Sequence, residues 1–120
     1  MIVLALDTAG PACAAGLAAD QFRRALELRP RFHDIRNKLA QALLQLGETE
    51  LAASELRAVL ESNPRFLGAR MNLGLAYYRL GHRDRARREW EDAASHDPEN
   101  PQVRAYLAML RRSSEAAIDA

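Results

Sequence analysis

The sequence has few of the cysteines and histidines from which disulfides and zinc sites are built. Cys13 is the single cysteine in 120 residues, which excludes an internal disulfide and leaves no pair of metal-binding thiols. It also has no basic neighbour in the sequence that would activate it as a nucleophile. His33, His82 and His96 lie far apart, and no two have the i, i+4 spacing of helical zinc ligands. We therefore expect no enzymatic activity, no cofactor and no metal.

The sequence also has no excess of charge of either sign. Seventeen lysines and arginines stand against sixteen acidic residues, which gives a net charge of +1. Such a balance provides no overall field that would attract nucleic acid or acidic lipid. The run from Arg79 to Arg88 is locally basic, but acidic residues alternate with its arginines in and after it. Weak nucleic-acid binding through this run is therefore an alternative interpretation, behind that of a solvated helix face.

Long apolar runs are missing as well. No stretch approaches the roughly 20 residues of a membrane-spanning helix. The first six residues, Met1 to Leu6, are apolar but lack the basic leader of a secretory signal. We therefore expect a cytoplasmic protein that does not bind membranes.

A period of 34 residues organises most of the chain. Pro30, Pro64 and Pro98 follow one another at this interval, and Gly47 and Gly81 have the same spacing. The apolar positions that share the period are Ala18, Ala52 and Ala86; Phe22, Leu56 and Trp90; Ala25, Val59 and Ala93; and Leu39, Leu73 and Leu107. A fixed period of this length is typical of an array of short helical units, each of which buries its apolar face against its neighbours.

Within each unit the apolar residues recur at the spacing of amphipathic helices. The two periodic glycines are expected to end helices in the left-handed conformation, and the prolines to end the others. Asn100 and Pro101 have the types preferred at an N-cap and a first helical position. Trp90 is expected to be a buried anchor between the last two layers. The predicted helices cover residues 11 or 12 to 28, 32–46, 49–61, 66–80, 83–95 and 101–112.

These residues resemble the tetratricopeptide repeat. The pattern Leu73-Gly74-x-x-Tyr77, followed by Gly81, Ala86, Trp90, Ala93 and Pro98, matches that family, and a second match starts at His33. The resemblance covers residues 17–112 and implies an all-α solenoid of antiparallel helix pairs. It departs from the family at Arg36, Arg70 and Arg104, which stand where a large aromatic residue is common.

The predicted organisation follows from this register. Residues 1–10 form an irregular leader, residues 11–113 a tetratricopeptide-like domain, and residues 114–120 a flexible tail. The domain divides into the second helix of a partial repeat (11–30), two full repeats (33–66 and 67–100) and a final helix (101–113).

The leader carries two further expectations. Residues 3–17, with Asp7-Thr8 after an apolar segment, weakly resemble the actin-like subunit that helps make threonylcarbamoyl-adenosine. This resemblance implies, as an alternative, a fragment of a nucleotide-binding protein fused to repeats. The simpler interpretation is a leader whose apolar residues Met1 to Leu6 pack on the open end of the stack or on a second copy of the chain.

The tetratricopeptide resemblance implies a non-enzymatic module that binds a protein or peptide partner in a concave groove. The helix from Phe66 has a second apolar stripe, formed by Leu67, Met71, Leu75 and Tyr78, which is expected to face this groove. Of the residues with which some relatives hold a peptide carboxylate, only Asn72 has a match. We therefore predict an apolar peptide or amphipathic helix as ligand, although the chain itself is an alternative cover for the stripe. The predicted groove residues are Asn37, Gln41, Leu44, Met71, Leu75, Tyr78, Ala105 and Met109.

Overall fold

A computed structural model describes the backbone of residues 11–119 and the side chains of residues 13–113. The predictions for the leader at residues 1–10, including packing or self-association through Met1 to Leu6, lie outside the described residues. Within those residues the chain forms helices α1 (Pro11–Leu28), α2 (His33–Gln45), α3 (Thr49–Ser62), α4 (Leu67–Arg79), α5 (Arg83–His96) and α6 (Pro101–Asp119). No strand occurs in this part of the chain. The predicted all-α class is therefore confirmed.

The first five helices begin and end within a residue of the predicted bounds, but α6 does not. It continues past Arg112 to Asp119, so residues 114–119 are helical, whereas the predicted helix ends at residue 112; the flexibility of this tail stays a prediction. The segment from Ser113 to Asp119 contains no glycine or proline, and two of its residues are alanine. Nothing in this segment ends the helix, because the signals that close the earlier helices are missing.

Glycine ends the first helix of each full repeat. Gly47 and Gly81 have φ angles of 81° and 86°, in the left-handed region that costs glycine little. The residue after each glycine donates its N–H five residues back, from Glu48 to the Leu43 carbonyl and from His82 to the Tyr77 carbonyl. These bonds satisfy carbonyls that the helix end would otherwise leave unpaired. They also turn the chain, so that the second helix packs back on the first.

Each helix packs against the next one in the chain, and α2 also contacts α4 directly. The first helices of successive repeats therefore lie side by side on one face, which we call the inner face. None of the helices described here is long and apolar enough to cross a membrane.

Trp90 is the centre of the interior between α4, α5 and α6. It is fully buried, and its indole Nε1 donates to the Met71 carbonyl at 3.0 Å. Its ring stacks on Tyr106 of α6, with centroids 4.8 Å apart and planes inclined by 16°. A Cβ atom at Gly74 would lie 2.8 Å from the indole Cε2 and closer still to Nε1. The predicted close approach of the helices thus occurs, and Gly74 makes room for the indole of Trp90 in particular.

Arg36, Arg70 and Arg104 stand at the repeat position where the family often has an aromatic residue. The guanidinium of Arg36 donates to the Pro30 carbonyl at 3.0 Å, and that of Arg70 to the Pro64 carbonyl at 2.9 Å. Each then reaches a glutamate on the following helix, at 2.6 Å for Glu55 and 2.8 Å for Glu89. One side chain therefore joins the end of the preceding repeat to both helices of its own repeat. Arg104 repeats only the first of these contacts, to the Pro98 carbonyl at 3.1 Å.

Candidate ligand-binding groove

An open groove runs along the inner face between α2 and α4. Its volume is about 390 Å³, and its lining residues are Gln41, Leu44, Gln45, Asn72, Leu75 and Arg79. Leucines from both helices form the apolar floor, and amide side chains with one guanidinium form the rim. A surface of this kind can hold the apolar side of a peptide while its backbone and polar side chains meet the rim.

An amide pair links α2 and α4 at the groove. The Asn72 side chain donates from Nδ2 to Oδ1 of Asn37 at 3.1 Å. Both side chains are partly buried, and the bond replaces contacts with water that the two amides would otherwise make. The pair therefore fixes the distance between the first helices of the two full repeats.

A cation lies on the rim of the groove. The guanidinium of Arg79 donates from one terminal nitrogen to the backbone carbonyl of Leu44, at 2.9 Å. Leu44 lies in the last turn of α2, and its carbonyl also accepts the Gly47 N–H at 3.1 Å, so Arg79 uses the second acceptor position of this oxygen. Arg79 is not among the groove residues predicted from the sequence, where it belongs only to the basic run. Gln45, the equivalent residue one period earlier, also lines the groove. This equivalence in the repeat is the feature of the sequence that could have identified Arg79 as a groove residue.

The space between α4 and α6 is bridged rather than open. The hydroxyl of Tyr78 lies 2.9 Å from that of Ser113, and the two share a hydrogen bond. The Tyr78 ring also lies 6.1 Å from the Trp90 ring, and the Arg83 guanidinium is 6.0 Å from its centroid. Tyr78 therefore joins α4 to α6 and marks the edge of the inner face.

The predicted groove residues do not all lie in the same place on the structure. Gln41, Leu44 and Leu75 line the groove, and Asn37 is bonded to one of its lining residues. Ala105 is exposed on α6 and Met109 is half-buried there. Their role in binding stays a prediction.

Met71 and Leu44, both predicted as groove residues, are less accessible than the other members of that set. Each is only 6% exposed. Met71 packs with Ala93 and Val103, and the half-buried Leu67 lies against the same cluster. Half of the predicted second stripe is therefore covered by α5 and α6, because neighbouring first helices contact each other. Leu44 belongs mainly to the core and forms part of the groove floor.

The basic run from residue 79 to 88 does not form one stripe. Arg79 lies on the groove, while Arg85 approaches the Tyr77 ring at 5.8 Å and Arg87 lies 3.7 Å from Asp84. Nucleic-acid binding needs cations aligned along a backbone, and these arginines have separate partners. Among the side chains described here, no group of three histidine, cysteine or acidic residues is placed to hold a metal ion.

Comparison with known proteins agrees with this architecture. The sequence model of the tetratricopeptide repeat matches residues 16–65, 38–101 and 71–120. The chain belongs to the tetratricopeptide repeat family. No curated protein matches it by sequence. The weak resemblance of residues 3–17 to an actin-like subunit is not confirmed.

Several solved structures share the fold. The first TPR of Spaghetti (RPAP3), bound to the HSP90 peptide SRMEEVD, has a TM-score of 0.80 at 18% identity, covering 85% of this chain and 81% of that chain. The first TPR domain of human RPAP3 has a TM-score of 0.80 at 17% identity, with coverages of 88% and 84%. YrrB, a TPR protein described as having an unusual peptide-binding site, has a TM-score of 0.74 at 24% identity, with coverages of 78% and 48%. At these identities the likeness establishes the fold alone.

Proposed function

We propose that this protein is a non-enzymatic interaction module that binds an amphipathic helix or peptide of a partner protein in the groove between α2 and α4. The observation that carries the proposal is the open groove itself, with Leu44 and Leu75 in its floor and amides on its rim. Helix-in-groove recognition places apolar side chains of the ligand on such a floor. A cytoplasmic location remains a prediction.

Two observations support this function without testing it. The first is the fold, which the chain shares with a TPR domain whose structure contains an HSP90 peptide. The second is the exposure of the groove, since Leu75 is only half-buried although it lies in the middle of α4. A partly exposed leucine between polar neighbours gains apolar contact when a ligand covers it.

The test uses a random library of displayed 12-residue peptides and the purified full chain. Selected peptides should lose most of their binding to Leu75→Glu, because this substitution puts a charge on the apolar floor. Leu51→Glu is the matched control, since Leu51 is 54% exposed on α3 and does not line the groove. Binding to this control should equal that of the wild type.

Circular dichroism of both variants confirms that they fold before they are compared. Peptides that bind the folded Leu75→Glu variant as well as the wild type would show that the groove is not the binding surface. Binding lost equally in both glutamate variants would also contradict the proposal, because only one of them alters the groove.

A further inference from the structure

Arg79 differs from the arginines that hold the repeats together. Arg36 and Arg70 each contact an acidic side chain within 3 Å, and both are mostly buried. Arg79 is exposed, and no carboxylate of the described residues lies within ion-pairing distance of it. Among the residues that the structure describes, one hydrogen bond reaches it, to the Leu44 carbonyl, and this bond uses one of its five N–H donors. Within this part of the chain, the other donors of the guanidinium have no protein partner in the groove.

The bond to Leu44 also holds this guanidinium in place. A long arginine side chain normally loses rotamer freedom when it binds a ligand, and this loss weakens binding. At Arg79 part of the loss has already occurred in the free protein, since the carbonyl at the end of α2 fixes one nitrogen at 2.9 Å. The remaining N–H donors of Arg79 are therefore already held in place before a ligand binds. The other polar groups of the groove are the amides of Gln41, Gln45 and Asn72.

We infer that the groove selects a ligand with an acidic side chain one helical turn from an apolar one. Leu75 and Arg79 are four residues apart on α4, so their side chains lie on the same face at neighbouring turns. A ligand helix along α4 would place an aliphatic side chain on Leu75 and a glutamate or aspartate on Arg79. A guanidinium binds a carboxylate through two parallel hydrogen bonds, which gives the contact direction as well as strength. This inference rests on the proposed function and specifies the chemistry of the partner.

The inference is tested on peptides from the same random library. Peptides selected on the wild type should be enriched in glutamate or aspartate three or four residues from a leucine, isoleucine or methionine. For one such peptide, changing the acid to its amide should weaken binding to the wild type about tenfold, as expected for loss of a charge-assisted hydrogen bond. The same change should have little effect on binding to Arg79→Gln. Arg88→Gln, at an exposed arginine on α5, is the matched control and should behave as the wild type.

This comparison is a double-mutant cycle, so a purely structural role of Arg79 cannot reproduce it. If the acid-to-amide change weakens binding equally on the wild type and on Arg79→Gln, the carboxylate does not contact Arg79 and the inference is wrong. Selected peptides without acidic enrichment would also overturn it. Should Arg79→Gln fail to fold, Arg79→Lys can replace it, since lysine keeps the charge but not the paired donors. The acid-to-amide change in the peptide should then weaken binding to Arg79→Lys less than it weakens binding to the wild type.

The outcome separates the inference from the proposed function. Peptides that depend on Leu75 but not on Arg79 would leave groove binding intact and remove only the acidic subsite. Peptides whose binding depends on neither Leu75 nor Arg79 would contradict both proposals. A library that yields no binding peptide would do the same.

Discussion

Trp90 and Phe22 occupy equivalent positions, 68 residues apart, yet their surroundings differ. Trp90 on α5 is fully buried between α4 and α6, and Leu56, the equivalent on α3, is also fully buried. Phe22 on α1 is only half-buried, because no helix of the described chain precedes α1. The neighbouring positions Ala18 and Ala25 show the same contrast with Ala52 and Val59, which are inaccessible.

The comparison shows what a position in a repeat does and does not determine. The register sets which side of a helix is apolar, but burial depends on the helices that stand on both sides of it. The middle of the array should therefore be sensitive to substitutions that its first helix tolerates. Two pairs of substitutions test this difference, and a third compares the middle of the array with its last helix.

The largest expected effect is at Trp90. Trp90→Ala should lower the free energy of unfolding by roughly 3–5 kcal/mol, because it leaves a cavity between three helices and removes the bond to the Met71 carbonyl. Phe22→Ala should cost distinctly less, about 1–2 kcal/mol, since water already reaches part of its ring. Urea unfolding followed by circular dichroism measures both. Equal losses at the two positions would contradict the contrast in burial.

The second pair concerns two glycines inside helices. Gly74→Ala should destabilise the protein by about 1–3 kcal/mol, because the added methyl group would overlap the Trp90 indole. Gly16→Ala on α1 should instead stabilise it by about 0.5–1 kcal/mol, since the added Cβ would lie 4.0 Å from the Leu46 side chain, an ordinary contact distance. Thermal melting of both variants shows whether each substitution raises or lowers the melting temperature. Stabilisation by both substitutions would mean that α4 and α5 can separate at no cost.

The smallest expected difference is between two arginines. Arg70→Ala should cost about 1–2 kcal/mol, because Arg70 binds the Pro64 carbonyl together with Glu89 and Asp92. Arg104→Ala should cost under about 0.5 kcal/mol, since its ion pair with Glu99 is exposed. Chemical unfolding of the two variants side by side provides the measurement. A cost at Arg104 equal to that at Arg70 would show that the proline carbonyl contact, which both share, supplies the stability.

Much of the fold could be predicted from the sequence, because its signals are local. The glycines and prolines that end the helices act within a few residues, and the period identifies the buried positions of α3 and α5. The extension of α6 was missed because the expected end lacked any such signal. The environment of Arg36, Arg70 and Arg104 was unexplained, since their contacts join segments that only the folded chain brings together.

The groove was harder to predict for the same reason. The direction of Met71 depends on the approach of α6 to α4, which no pattern within α4 reveals. The place of Arg79 depends on the Leu44 carbonyl, 35 residues away in the chain. Leu75 and Gln41 line the groove, and their positions follow from the register alone, while their part in binding stays a prediction.

The proposed function requires that a ligand binds on the inner face between α2 and α4. This is measured by amide chemical shifts of the isotope-labelled protein, recorded with and without a library-selected peptide. The largest changes should lie at Gln41, Gln45, Asn72, Leu75 and Arg79. Changes concentrated instead at Leu51 and Glu55 of α3, with α2 and α4 unaffected, would contradict it.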